Sequence, residues 1–132
     1  MDVVNTVREK YDPGKIFLFG FSQGAAYAYY TAIKNPGIFA GIVAVAGIFP
    51  DTDLAFSLFS DEEIRSAVGL PVLVAHGIQD RPDIVEKSRL ASNRLQTYGY
   101  SVSYLPFSGG HELSGELMLR VVDWMKRVNV PQ

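Results

Sequence analysis

The chain contains no cysteine. That excludes disulfides, a thiolate nucleophile and any cysteine-ligated metal. Histidine is nearly as scarce, with only His76 and His111. No run approaches the roughly 18 consecutive apolar residues of a membrane-spanning helix. Charge of one sign is also missing: 12 Lys and Arg against 14 Asp and Glu give a formal charge of −2. No basic surplus is available to neutralise nucleic-acid phosphates or anionic lipid. Residues Met1 to Asn5 lack the cationic start and following apolar stretch of a secretory signal. Repeats, low-complexity tracts and Ser/Gly-rich linkers are absent as well. These absences predict no nucleic-acid partner, no membrane span and a cytoplasmic protein.

What remains is a chain of 132 residues, 48% apolar and 20% charged, enough for one buried core and too little for two. One domain over 1–132 is expected. Val3, Val4, Val7 and Tyr11 share one face of a helix over residues 2–11. Asp12-Pro13-Gly14 reads as a turn. Ile16 to Phe19 is a short continuous apolar run, as in a strand buried on both faces. Gln23 to Lys34 reads as a helix stopped by Asn35-Pro36-Gly37, and Gly41 to Ala46 as a second strand. Residues 48–59 are apolar but irregular, so they either line a pocket or cover the sheet.

Ser60 and Glu63 have capping-box spacing and open a short helix to about Val68. Leu70 to Ala75 is the third strand. Asp83 and Glu86 look like another capping pair, opening a helix that ends at Gly99. Ser101 to Phe107 is the fourth strand. Leu117, Val121, Met125 and Val128 stripe a last helix. Strands alternating with helices predict an α/β fold: four parallel strands with helices on both faces. Functional groups in such sheets gather beyond the carboxyl ends of the strands.

The residues able to do chemistry fall at those ends. Gly20-Phe21-Ser22-Gln23-Gly24 joins the first strand to a helix and fits a Gly-x-Ser-x-Gly nucleophile elbow. Gly20 and Gly24 are expected where side chains would collide as strand and helix converge. Ser22 would be lifted clear of the sheet, and the Gln23 N–H would face a developing oxyanion. Tyr27, Tyr29 and Tyr30 on this helix are expected to pack rather than form a recognition platform. A serine hydroxyl needs a base, and the base an orienting acid. Asp80 follows the third strand and His111 the fourth. The order Ser22, Asp80, His111 is the order used by a hydrolase sheet of this kind.

Asp83 rivals Asp80 but has its own account as a helix cap. His76 precedes the acid at a strand end, where bonding to loop backbone is its expected task. A metal held by His76, Asp80 and His111 is conceivable, but the same residues suit a serine triad better, so neither a metal nor a cofactor is expected. No phosphate loop or dinucleotide fingerprint occurs.

Gly-Phe-Ser-Gln-Gly-Ala (20–25), Asn-Pro-Gly-Ile-Phe-Ala-Gly-Ile-Val-Ala-Val-Ala-Gly (35–47), His-Gly-Ile-Gln-Asp (76–80) and Gly-Gly-His-Glu (109–112) resemble the phospholipase/carboxylesterase family of α/β-hydrolases. This group includes acyl-protein thioesterases. The resemblance implies Ser22 as nucleophile, Asp80 as acid, His111 as base and Gln23 as one oxyanion donor. It implies cleavage of a small ester or thioester through an acyl-serine, without metal or cofactor. The family's domain has eight strands and this chain offers the last four. The expectation is therefore a truncated α/β-hydrolase fold, lacking the N-terminal strands and the loop that gives the second oxyanion N–H, with Met1 standing at what was an internal position. The competing reading is a non-catalytic remnant that associates with itself or a partner. In the full fold the nucleophile strand is central, so Lys15 to Phe19 would here be an apolar edge blunted only by Lys15. A homodimer pairing this strand antiparallel is expected.

Overall fold

The computed structural model describes residues 15–47 and 59–128, together with Val3, Asn5, Thr6 and Glu9. Those four isolated positions are helical, and the rest of the expected 2–11 helix lies outside the described residues. So does the apolar stretch 48–59 except Phe59, which is buried in the core beside Tyr30.

Among the described residues four strands form one sheet: β1 (Phe17–Phe21), β2 (Gly41–Val45), β3 (Val72–Gly77) and β4 (Val102–Phe107). They pair parallel in the order β1-β2-β3-β4. Helix α1 (Gln23–Lys34) joins β1 to β2, α2 (Asp61–Ser66) precedes β3, α3 (Pro82–Thr97) joins β3 to β4, and α4 (Gly115–Val128) follows β4. The sheet advances one strand at a time in a single direction. With one crossover hand this puts every connecting helix on the same face. The packing agrees. Ala28, Ile64 and Leu95, from α1, α2 and α3, share a core with Ile42 and Val74. Leu117, Val121 and Trp124 of α4 pack on the other face against Val43, Val45 and Leu73. Helices thus cover both faces, and among the described residues α4 is the helix packed on the second.

The central strands β2 and β3 are buried at every position, which explains their unbroken apolar runs. β3 begins at Val72, later than its apolar run, and extends through His76 and Gly77, because pairing with β4 continues to Phe107. β1 likewise extends through Gly20 and Phe21.

Helix ends follow their local chemistry. Ser60 and Glu63 form the reciprocal capping box, and Glu63 also binds Lys34 at 2.7 Å. The Lys34 hydrogen bond, then the backbone and hydroxyl of Ser60, hold the Glu63 carboxyl below the usual range. At the end of α3, Tyr100 N–H reaches Leu95 C=O (3.0 Å) and Gly99 N–H reaches Gln96 C=O (2.9 Å). With Gly99 at φ 95° this is a Schellman ending. The expected Asp83–Glu86 cap is absent. Arg81 is the N-cap and Pro82 opens the helix, so Asp83 already lies in the first turn. Its carboxylate takes the Arg81 guanidinium instead, and Glu86 takes Arg89. Among the described residues no helix is long and apolar enough to cross a membrane.

Candidate active site

Ser22 stands between β1 and α1 with φ 58° and ψ −119°, a conformation that costs a non-glycine residue of order 1–3 kcal/mol. It occupies the N-cap position, yet its hydroxyl makes no cap hydrogen bond. The backbone holds the turn instead: Ser22 N–H donates to Val45 C=O at 2.7 Å, and Ala25 N–H to Ser22 C=O at 3.1 Å. A Cβ on Gly20 would lie 2.6 Å from the Gly24 carbonyl carbon and 2.7 Å from Ala25 Cα, so strand and helix meet too closely for any side chain there. The matching expectation for Gly24 fails. A Cβ on Gly24 would meet nothing within 4 Å, because its side-chain direction leads into open space. Gly24 supplies the backbone against which Gly20 packs. Gln23 is the first residue of α1, where backbone N–H groups have no acceptor within the helix.

Asp80 and His111 come from loops tied to each other. Ile78 N–H donates to Phe107 C=O and Gln79 N–H to Gly109 C=O, both at 2.8 Å. The Gln79 side-chain oxygen accepts from Gly109 N–H in return. A side chain on Gly77 would strike the carbonyls of Gly109 and Gly110. Glu112 closes the second loop by accepting from Gly110 N–H at 3.2 Å. Phe21 packs on the His111 ring, with centroids 4.8 Å apart.

The result brings three sequence-predicted side chains together. Asp80 Oδ2 lies 2.7 Å from His111 Nδ1, and His111 Nε2 lies 3.0 Å from Ser22 Oγ. Asp80 Oδ1 accepts from Arg81 N–H at 2.7 Å. With that oxygen occupied, Oδ2 is the acceptor for the Nδ1 proton. Nε2 of a neutral ring then faces the Ser22 hydroxyl with its lone pair. The Asp80 side chain is 2% exposed and that of His111 is 40% exposed. The carboxylate is sheltered from water, where its interaction is least screened, while the imidazole is open to a ligand. Such an arrangement can draw a proton from Ser22 Oγ and steady the cation formed.

The other candidates lie apart. Asp83 is held by Arg81 and makes no contact with His111. His76 is buried, but its main partner is not loop backbone. Nε2 bonds the Tyr104 hydroxyl at 2.5 Å, with only a long Nδ1 approach to Gly77 C=O at 3.4 Å. The reason is register: Val74 faces Tyr104, so His76 is a diagonal neighbour on the same side of the sheet. Burial raises the Tyr104 pKa, which Arg89 partly opposes. With His76 committed there, it does not converge with Asp80 and His111. No cluster of three His, Asp or Glu side chains fit for a metal occurs among the described residues. Of the tyrosines on α1, Tyr29 is buried and Tyr30 packs on Phe59, while Tyr27 is 66% exposed and packs little.

Sequence reasoning missed Gln79 as a brace for the histidine loop. Its adjacency to Asp80 was the only signal. It also missed Ala46, which takes φ 55° at the end of β2 beside the elbow. An alanine there carries no pattern to read.

Comparison with known proteins adds the lineage. The phospholipase/carboxylesterase family model matches residues 3–129. The carboxylesterase SOBER1 of Arabidopsis thaliana is 27% identical over 122 residues, covering 92% of this chain and 52% of that protein. The crystal structure of SOBER1 superposes with a TM-score of 0.71 at 23% identity, covering 96% of this chain and 61% of the other. That of acyl-protein thioesterase 2 from Zea mays gives 0.71 at 23% identity, covering 96% and 62%. At this identity the structures speak for the α/β-hydrolase fold alone. The chain spans about half the length of the curated relatives it matches. The fold and the match across nearly the whole chain make it a member of the phospholipase/carboxylesterase family of α/β-hydrolases.

Proposed function

We propose that the chain is a serine esterase or thioesterase acting on small carboxylic esters or thioesters. The observation that carries this reading is Ser22 on a strained turn, its hydroxyl unused as a cap and 3.0 Å from His111 Nε2. The family's named carboxylesterases and acyl-protein thioesterase support the substrate class.

In the proposed reaction, Ser22 Oγ attacks the carbonyl carbon while His111 Nε2 takes its proton. The carbonyl oxygen becomes an oxyanion, to which Gln23 N–H donates. Collapse of this intermediate breaks the bond to the alcohol or thiol, which leaves with the proton held at Nε2. A water then attacks the acyl-serine, again giving its proton to His111. Collapse releases the acid and returns the proton to Ser22. Asp80 holds the imidazole tautomer throughout and stabilises its cation. The residues require neither metal nor cofactor for these steps. We assign the protein to the cytoplasm, where a cysteine-free chain needs no oxidising conditions.

Hydrolysis of p-nitrophenyl butyrate tests the reading. Turnover is expected from the wild-type chain and its loss from Ser22→Ala, with unchanged circular dichroism. Equal turnover by the two proteins would overturn the assignment. A wild-type chain without turnover would favour the non-catalytic remnant.

A further inference from the structure

The His111 imidazole is held at both ring nitrogens, by Asp80 Oδ2 at 2.7 Å from Nδ1 and by Ser22 Oγ at 3.0 Å from Nε2. Two such bonds lie in the plane of the ring. They fix its two ends but leave it able to tilt about the line between the partners. The loop does little to stop that tilt. His111 follows Gly109, at φ 147°, and Gly110, which bring no side chains to pack beside it. Its own side chain is 40% exposed, so burial does not hold it either.

One face of the ring does meet a wall. The Phe21 ring lies against it with centroids 4.8 Å apart and planes inclined at 38°. Aromatic pairs attract at separations of about 4.5–7 Å. Phe21 is itself anchored. It is the last residue of β1, faces Val45 across the ladder and packs on the core beneath α4. It also directly precedes Ser22, so the surface that limits the tilt belongs to the same turn as the hydroxyl that Nε2 meets.

We propose that Phe21 is a positioning residue for His111, fixing the plane of the imidazole and favouring its cation during the reaction. This rests on the serine-hydrolase reading above, in which His111 takes the Ser22 proton. The imidazolium exists only once that proton moves. A contact that strengthens with positive charge therefore acts on the transition state rather than on bound substrate. The face of an aromatic ring attracts a cation within about 6 Å of its centroid. Asp80 steadies the cation in the ring plane, and Phe21 steadies it from outside that plane. The neighbouring charges are engaged elsewhere. Arg81 gives its backbone N–H to Asp80 and its guanidinium to Asp83, and Glu112 accepts from Gly110 N–H. Leucine at position 21 would fill much of the same volume, but it has neither the flat surface nor the charge-attracting face.

The test reads rate and ring geometry separately. Phe21→Leu should lower kcat for p-nitrophenyl butyrate by about tenfold with KM nearly unchanged. About two- to fivefold of this is the lost cation contact, and the looser ring supplies the rest. Phe21→Tyr keeps the ring and should recover most of the rate. In proton NMR of the wild-type chain, the Phe21 and His111 ring protons should show a nuclear Overhauser contact. The His111 Nδ1 proton should give a sharp downfield resonance that broadens in Phe21→Leu and returns in Phe21→Tyr. Equal losses of kcat in the two variants would overturn the proposal. So would a Phe21→Leu protein with the kcat and the Nδ1 resonance of wild type. A wild-type chain without the ring contact overturns it as well, and that result needs no variant to fold. The resonances do not depend on turnover. An inactive wild-type chain whose Nδ1 proton still responds to Phe21→Leu would overturn the proposed reaction and uphold the restraint on the ring.

Discussion

Ser22 and His111 are 89 residues apart in the chain, and their Oγ and Nε2 atoms are 3.0 Å apart. Two loops at the same end of a parallel sheet achieve this. One is the strained turn after β1. The other follows β4 and is fixed to the loop after β3, so Asp80 and His111 arrive as a unit.

Asp80→Asn should lower kcat/KM by on the order of 10⁴, while Asp83→Asn should leave it within about twofold. The amide favours the wrong imidazole tautomer, and in a serine triad that change costs about this much. Asp83 is exposed and paired with Arg81, a contact of little energetic weight. Steady-state kinetics of the two variants would separate them, and the reverse ranking would assign the acid to Asp83.

Gln79→Ala should cut kcat by about 10²-fold with KM nearly unchanged. The side chain touches no substrate in the proposed reaction. It braces Gly109, two residues before His111, and a displacement of about 1 Å at a reacting group costs this much. Gln79→Glu keeps an acceptor oxygen for Gly109 N–H and should recover most of the rate. Equal losses in both variants would remove the brace from the account.

The sequence made some of this legible and hid the rest for physical reasons. Buried strands declare themselves by continuous apolar runs, so β2 and the middle of β3 were plain. The carboxyl ends of β1 and β3 were not, because Gly20, His76 and Gly77 join the ladder through pairing with a neighbour rather than by propensity. Ser22, Asp80 and His111 were readable from position, each beyond a different strand. The spacing of Asp83 to Glu86 imitates a capping box, but Pro82 overrides it. A proline at the first helical position places the cap one residue earlier, at Arg81. Gln79 acts through a loop contact 30 residues away, and no local pattern encodes that.

Ser88→Ala should leave stability unchanged or raise it by about 1 kcal/mol. The Ser88 hydroxyl is fully buried on α3 and its oxygen has no hydrogen-bond partner among the described residues. An unsatisfied buried polar group costs about 1–3 kcal/mol, and alanine is also the better helix former. Urea denaturation of the two proteins measures the difference. A loss of more than about 1 kcal/mol would mean the hydroxyl has a partner in solution.

At acid pH the Lys34–Glu63 contact should show its sign. The Glu63 carboxyl is held below its ordinary range, so its ionised form binds better in the folded chain. Its stabilising effect is present above the unfolded carboxylate pKa and is lost as pH falls through the lowered folded value. Thermal melts from pH 7 downward should therefore converge for wild type and Glu63→Gln. A gap that widens toward acid would reverse the assignment.

The central claim is that Ser22 is an activated nucleophile, and a fluorophosphonate probe read by intact mass and peptide mapping tests it most directly. Such a reagent bonds covalently to a serine whose proton is taken by a neighbouring base. The account predicts one adduct per chain, located on Ser22, absent in Ser22→Ala and greatly slowed in His111→Ala. A folded wild-type chain that stays unlabelled, or an adduct that persists in Ser22→Ala, would contradict it.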